Sequence, residues 1–222
     1  MNSTRLRRLI SALLAALCVV PAGAMAPSPV QEWRFSVSLD GSPIGYHRFA
    51  LSERGSALEL HSEARFNVKF LFFNAYRYVH DSQESWQGNC LDKIDASTDD
   101  NGSRQTVRGA MTAARFVISR SGRDTELAPC VQTFAYWNPQ ILGATRLLNP
   151  QTGEYVPVRV DYVGAESLTV RGAPQASDHY RLTGDASVGE DLRIDLWYSP
   201  NREWLALEST TADGRRLHYE LQ

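Results

Sequence analysis

The stretch from Asp191 to Leu221 constrains the fold most, because three strands can be read there together with their pairing. Leu192, Ile194, Leu196 and Tyr198 alternate with Arg193, Asp195 and Trp197, the period-two pattern of a half-buried strand. Ser199-Pro200-Asn201-Arg202 is turn chemistry, since proline presets φ and asparagine tolerates tight backbone. Taking those four residues as the loop predicts Tyr198 opposite Glu203, Trp197 opposite Trp204 and Leu196 opposite Leu205. It also sets Ile194 opposite Leu207 and Arg193 opposite Glu208, so that apolar meets apolar and cation meets anion. A second turn follows at Ala212-Asp213-Gly214. With Gly214 left-handed in a three-residue loop, Leu207 faces Tyr219 and Leu205 faces Leu221. An antiparallel sheet follows from this; a reaction does not.

The first 26 residues read as a secretory leader. Arg5, Arg7 and Arg8 form a basic start, Leu9 to Val20 is an apolar run, and Pro21 breaks it. Ala22 to Ala26 offers small-residue cleavage sites after Ala24 or Ala26, and the later site is the better one. The run is too short for a spanning helix. The expected mature chain, 27–222, is one antiparallel β domain in the periplasm. The precursor carries a net charge of −2, and loss of the three leader arginines takes it to −5. Such a chain, with no basic block, is a poor nucleic-acid binder. Cys90 and Cys130 are the two mature cysteines, and in an exported chain an even pair reads as a disulfide. Closing their 40-residue separation is worth about 4 kcal/mol in the chain-entropy picture.

Trp33, Phe35, Val37 and Leu39 mark a first strand, Asp40-Gly41-Ser42-Pro43 a turn, and Ile44 to Ser52 the return, whose register stays open because either parity leaves a mismatch. Leu58, Leu60, Ala64 and Phe66 continue the alternation. Six of the seventeen Phe and Tyr residues then fall between Phe66 and Tyr78. Phe66, Phe70 and Phe72 share one parity while Leu71 and Phe73 fill the other; Tyr76, Tyr78, His80, Ser82, Glu84 and Trp86 follow on the next strand. Aromatics of this density are either core or the wall of an apolar pocket. On the pocket reading Phe66, Phe70, Phe72, Tyr76 and Tyr78, joined by Trp197 and Trp204, are the candidate ligand-binding residues. From Pro129 to Pro157 the alternation stops. Residues 131–148 read as a short helical plug that covers a sheet face or closes a barrel end, tied down by Cys130. Strands resume at Tyr155–Tyr162, Glu166–Val170 and His179–Leu182, with Gly164 at a break.

The search for chemistry finds little. His47, His61, His80, His179 and His218 show no zinc spacing, and no nucleophile-elbow, phosphate-loop or dinucleotide motif occurs. His61 with Glu63, or His80 with Asp81, are the candidate acid–base pairs. No metal and no cofactor is expected.

Several blocks together resemble an uncharacterised family of exported proteobacterial proteins classed as a domain of unknown function. They are Trp33 through Gly45, Trp86 through Leu91, Phe134-Ala-Tyr-Trp-Asn138, Leu147 through Gly153, and Ile194 through Tyr198 with Trp204 and Gly214. The family supplies no catalytic residue. In architecture, an exported meander with one plug is similar to the periplasmic lipoprotein carriers of the LolA and LolB type. That likeness implies a mainly β fold: one long antiparallel meander, strongly curved into a half-barrel or open barrel. The expected function is a monomeric periplasmic binding or carrier protein that holds a lipid or other apolar ligand in the concave face. The alternatives are an envelope structural or interaction protein that meets a partner or the membrane surface, and a hydrolase or isomerase with an unrecognised site.

Overall fold

The computed structural model describes residues 30–70, 73–184, 192–211 and 213–222, with backbone alone at 69–70 and 73–75. The leader with its cleavage sites, Phe72, and the side chain of Phe70 lie outside that description. One arm of the chain runs through β1 (Gln31–Leu39), β2 (Ser42–Arg54), β3 (Ala57–Phe70), β4 (Phe73–Gln87), β5 (Cys90–Asp100), β6 (Ser103–Met111), β7 (Phe116–Arg120) and β8 (Arg123–Leu127). A second runs through β9 (Arg146–Leu148), β10 (Tyr155–Val170), β11 (Ala173–Gly184), β12 (Arg193–Tyr198), β13 (Trp204–Thr210) and β14 (Arg216–Leu221). All fourteen form one curved antiparallel sheet that does not close into a barrel. Its centre is the pair β1–β14, with Phe35 opposite Leu221 and Val37 opposite Tyr219. From that pair the arms step outward strand by strand to open edges at β8 and β9.

The first hairpin has a physical reason for its ambiguous register. Asp40 (φ 49°) and Gly41 (φ 78°) make a two-residue turn that sets Leu39 opposite Ser42. A bulge then shifts the pairing, because Val37 opposes Gly45 while Ser38 opposes Pro43. Beyond it Phe35 faces His47 and Trp33 faces Phe49. Neither parity alone fits because the strand uses both. Gly45 is required there, since a Cβ would collide with the Arg65 carbonyl.

The C-terminal register corrects the expected one. Ser199 N–H donates to Glu203 C=O, so the loop is Pro200-Asn201-Arg202, with Arg202 at φ 66°. Tyr198 therefore opposes Trp204, and a bulge brings Trp197 opposite Ala206, Leu196 opposite Leu207 and Asp195 opposite Glu208. Trp197 and Trp204 thus lie on opposite faces. The shorter loop and the bulge each shift the pairing by one residue in the same direction; the two-residue total keeps apolar opposite apolar beyond the bulge, which is why it hides in the sequence. The second turn has the expected register, Leu207 opposite Tyr219. Gly164 is likewise a bulge inside one continuous β10 rather than a break between two strands.

The plug is helical only over Pro139–Gly143, a single 3-10 turn whose first amide donates to the Asn138 side chain. Before it, Val131, Thr133, Ala135 and Trp137 are buried while Gln132, Phe134 and Tyr136 are half-buried. That is period two, and the segment is extended around Thr133, which bridges Leu148, before turning at Phe134–Asn138. Covered on both faces, it had no reason to alternate in polarity. Cys90 and Cys130 are bonded, with Cα atoms 4.9 Å apart, which fixes the start of the plug to the start of β5. Beside the bond, Leu91 N–H donates to Val131 C=O at 2.8 Å.

Candidate functional site

The plug lies across the concave side of the sheet, and beneath it is a cavity of about 260 Å³. Both arms line it. From β12 to β14 come Ile194, Leu207, Leu217 and Tyr219 with Ser209; from β2 to β4 come Phe49 and Leu60 together with a polar row of His47, Ser62, His80, Ser82 and Glu84. Phe134, Ala135, Tyr136 and Trp137 of the plug form the roof, and the rim includes the exposed Gln151 and Thr210.

The polar wall follows from strand register. Ala64 pairs with both His47 and His80, and His80 with Thr98, so these four cross β2 to β5 as one inward row. His47 lies with Nε2 2.8 Å from Ser62 Oγ and Nδ1 3.3 Å from the Tyr219 hydroxyl. His80 Nδ1 is 2.9 Å from Thr98 Oγ1. Hydroxyls donate or accept as needed, so they satisfy a neutral imidazole in either tautomer. Burial holds His47 well below the usual histidine range and takes His80 down to about 4.

Glu84 stands two inward positions beyond His80. Its Oε2 accepts from the Trp86 indole N–H at 3.0 Å and from the Thr133 hydroxyl at 3.2 Å; Oε1 has only the Ser82 hydroxyl at 3.5 Å. Burial pushes the carboxyl up to about 7, and these three donors oppose it. No lysine or arginine lines the cavity among the described residues. The roof is held by the Thr133 bond and by the Tyr198 hydroxyl, which donates to Tyr136 C=O at 2.7 Å.

Ser62 and His47 have the spacing of a nucleophile and its base, yet the third member is a tyrosine and the imidazole is held neutral by burial. No carboxylate steadies a developing imidazolium, so the pair is better suited to holding a polar ligand than to activating the serine.

The sequence candidates are dispersed. Phe66 and Tyr78 stack on each other, with ring centroids 5.3 Å apart, in the core beside this cavity. Tyr76 is half-buried against the same core. Trp204 is fully buried between Phe35 at 4.3 Å, Phe49 at 5.0 Å and Tyr136 at 5.3 Å. Trp197 is on the outer face, stacked on His179 at 4.6 Å. There His179 bridges Asp195 at 2.7 Å and Glu166 at 3.2 Å, and Asp195 also accepts from Arg181 and Arg193. The structure therefore brings Phe66 and Tyr78 together and separates both from Trp197. The acid–base candidates re-pair as well: His61 meets Asp81 at 3.2 Å on the outer face, and His80 points inward, away from it.

The sequence reading missed His47, Ser62, Ser82 and Glu84 as a wall. The available signal was the shared parity of Tyr78, His80, Ser82, Glu84 and Trp86, a polar run bracketed by aromatics on one face.

The domain of unknown function DUF6134 matches residues 35–222, and the chain belongs to that family. In structure the chain is similar to a β-barrel-like protein of the domain of unknown function DUF1849 from Brucella abortus, with a TM-score of 0.62 at 12% identity. That likeness covers 89% of this chain and 98% of the other, and it extends to the fold alone. No curated protein matches the sequence.

Proposed function

We propose that this DUF6134 protein is an exported binding protein that takes a small apolar or amphiphilic ligand, such as a lipid or lipid fragment, into the cavity under its plug. The observation that carries the reading is the cavity itself, about 260 Å³, with a lining of aliphatic and aromatic side chains interrupted by a short row of polar groups on β2 to β4. Ligand sites have that composition, with apolar walls for affinity and a few polar groups for orientation. The volume suits one short chain with its head group, being just below the range of pockets that hold drug-sized molecules. Export is supported by the leader in the sequence and by the disulfide, which persists in an oxidising compartment.

The test is titration of the mature protein with an environment-sensitive apolar fluorophore. Saturable uptake is expected, and Ser209→Phe, which fills the cavity from β13, should abolish it while leaving the unfolding midpoint within about 1–3 kcal/mol of the parent. A parent protein that takes up no probe, or a filled variant that binds it unchanged, would overturn the proposal.

A further inference from the structure

Resting on that reading, we infer that the cavity selects an amphiphile with an ammonium head group over one with a carboxylate head. The charge inventory of the wall points this way. His47 and His80 satisfy their partners as neutral rings, and among the described residues no arginine or lysine reaches the lining. The formal charge available to this wall is therefore the negative charge of Glu84. A carboxylate head would enter with its hydration removed and meet no cation, which is the costly way to bury a charge.

An ammonium head meets the opposite. Glu84 is itself under-satisfied, since an ionised carboxylate offers about four acceptor sites and has three donors here, all of them neutral. Oε1, with its single contact at 3.5 Å, has room for a stronger donor. A cationic N–H would form a charge-assisted bond there, of the kind about twice as strong as a neutral one. The aromatic roof adds to this, because Trp137 and Tyr136 line the cavity and ring faces attract cations. A second observation is independent of Glu84. The Trp137 indole N–H is buried with no partner among the described residues, although its residue lines the cavity. A buried donor left open in a site of this kind suits a ligand that also carries an oxygen acceptor near its head.

Glu84 faces Leu60 on β3, Ile94 on β5 and Thr133 of the plug, none of them ionisable. The other titratable groups of the lining are His80, His47, Tyr136 and Tyr219. None of these adds a positive charge at neutral pH, so the preference comes from one residue.

The experiment compares decylamine, decanol and decanoate as competitors of a bound apolar fluorophore, at about pH 8, where Glu84 is ionised. The amine should compete at least about tenfold more tightly than either of the others. Glu84→Gln should lower the amine's affinity about tenfold or more and leave that of decanol within about threefold. Decanoate competing as well as decylamine in the parent protein would overturn the inference without needing the variant to fold. So would a folded Glu84→Gln protein with unchanged amine affinity. If the fluorophore binds and decanol displaces it while the amine does not, the cavity reading stands and only the head-group preference fails. If nothing binds, both fail.

Discussion

The inner wall and the outer face of β10 to β12 both carry histidine and a buried carboxyl group, and they reach opposite electrostatic solutions. Outside, His179 lies between two carboxylates, and Asp195 collects His179, Arg181 and Arg193. Burial alone would raise the Asp195 carboxyl, but those three hydrogen bonds outweigh it and hold it below the usual range. Inside, His47, His80 and Glu84 have hydroxyls and an indole as partners and no opposite charge. Partners rather than exposure account for the difference, since Asp195 is itself buried, at 8%. A buried carboxylate ringed by arginines keeps its charge, whereas one met by neutral donors gives up its charge unless a cation is brought to it.

The strongest way to break the contrast is to force charge onto the inner wall. Ser82 is fully buried beside Glu84. Ser82→Asp places a second acid there without a cation and should cost about 3–5 kcal/mol, read from the urea midpoint. A near-neutral result would mean that water or an unseen cation reaches this wall.

The pH dependence of stability sharpens the comparison from both sides. Glu84 titrates near 4.5 in the unfolded chain and near 7 when folded, so between those values the folded state holds the extra proton. Its contribution is complete below about pH 4.5 and is lost as pH rises through 7, for a total of about 3 kcal/mol. His80 runs the other way. Its pKa falls from 6.5 to about 4 on folding, so its contribution is complete above about pH 6.5 and is lost as pH falls through 4, again about 3 kcal/mol. Glu84→Gln should remove the first slope and His80→Gln the second, in denaturant melts across the range. Slopes that survive these changes would place the titration elsewhere.

On the outer face, Asp195→Asn should cost about 1–3 kcal/mol, since charge-assisted bonds are lost but water replaces part of them. Because the folded pKa of Asp195 is depressed, its contribution is present above the unfolded value of 3.8 and disappears as pH falls through the folded value. The cost should also shrink in high salt, as the inner-wall effects should not. Smallest of all is Asp95→Ala, which breaks an exposed pair with Arg108 at 3.3 Å and should change stability by less than about 1 kcal/mol. A larger loss there would show that outer pairs carry more than their exposure allows.

The outer face was the readable one. Alternation reports a strand whose two sides meet different media, and Trp33 to Leu39 or Ile194 to Tyr198 are plain on that basis. The inner wall breaks the assumption that polar residues face water, so the polarity of His80, Ser82 and Glu84 does not mark them as facing inward. Leu205, Ile44 and Val163 sit at bulges, where one added residue changes the facing of everything beyond it. Pairing across the sheet centre was illegible for another reason. Nothing in β1 identifies β14 as its neighbour, because the complementarity is shared with any strand of alternating apolar residues.

That central seam has a cost in time. Gln222 N–H donates to Arg34 C=O, joining positions at the two ends of the described chain. As the chain emerges in order from its N-terminal side, β1 to β8 can pair with one another, but the side of β1 reserved for β14 stays unzipped until Arg216–Leu221 has followed. During that interval it presents bare amides and carbonyls beside Trp33, Phe35 and Val37, the kind of edge that recruits strands from other molecules. High contact order makes the final closure slow. A chain of this topology therefore depends on being shielded until β14 arrives, and a truncation that removes β14 should aggregate rather than yield a smaller soluble sheet.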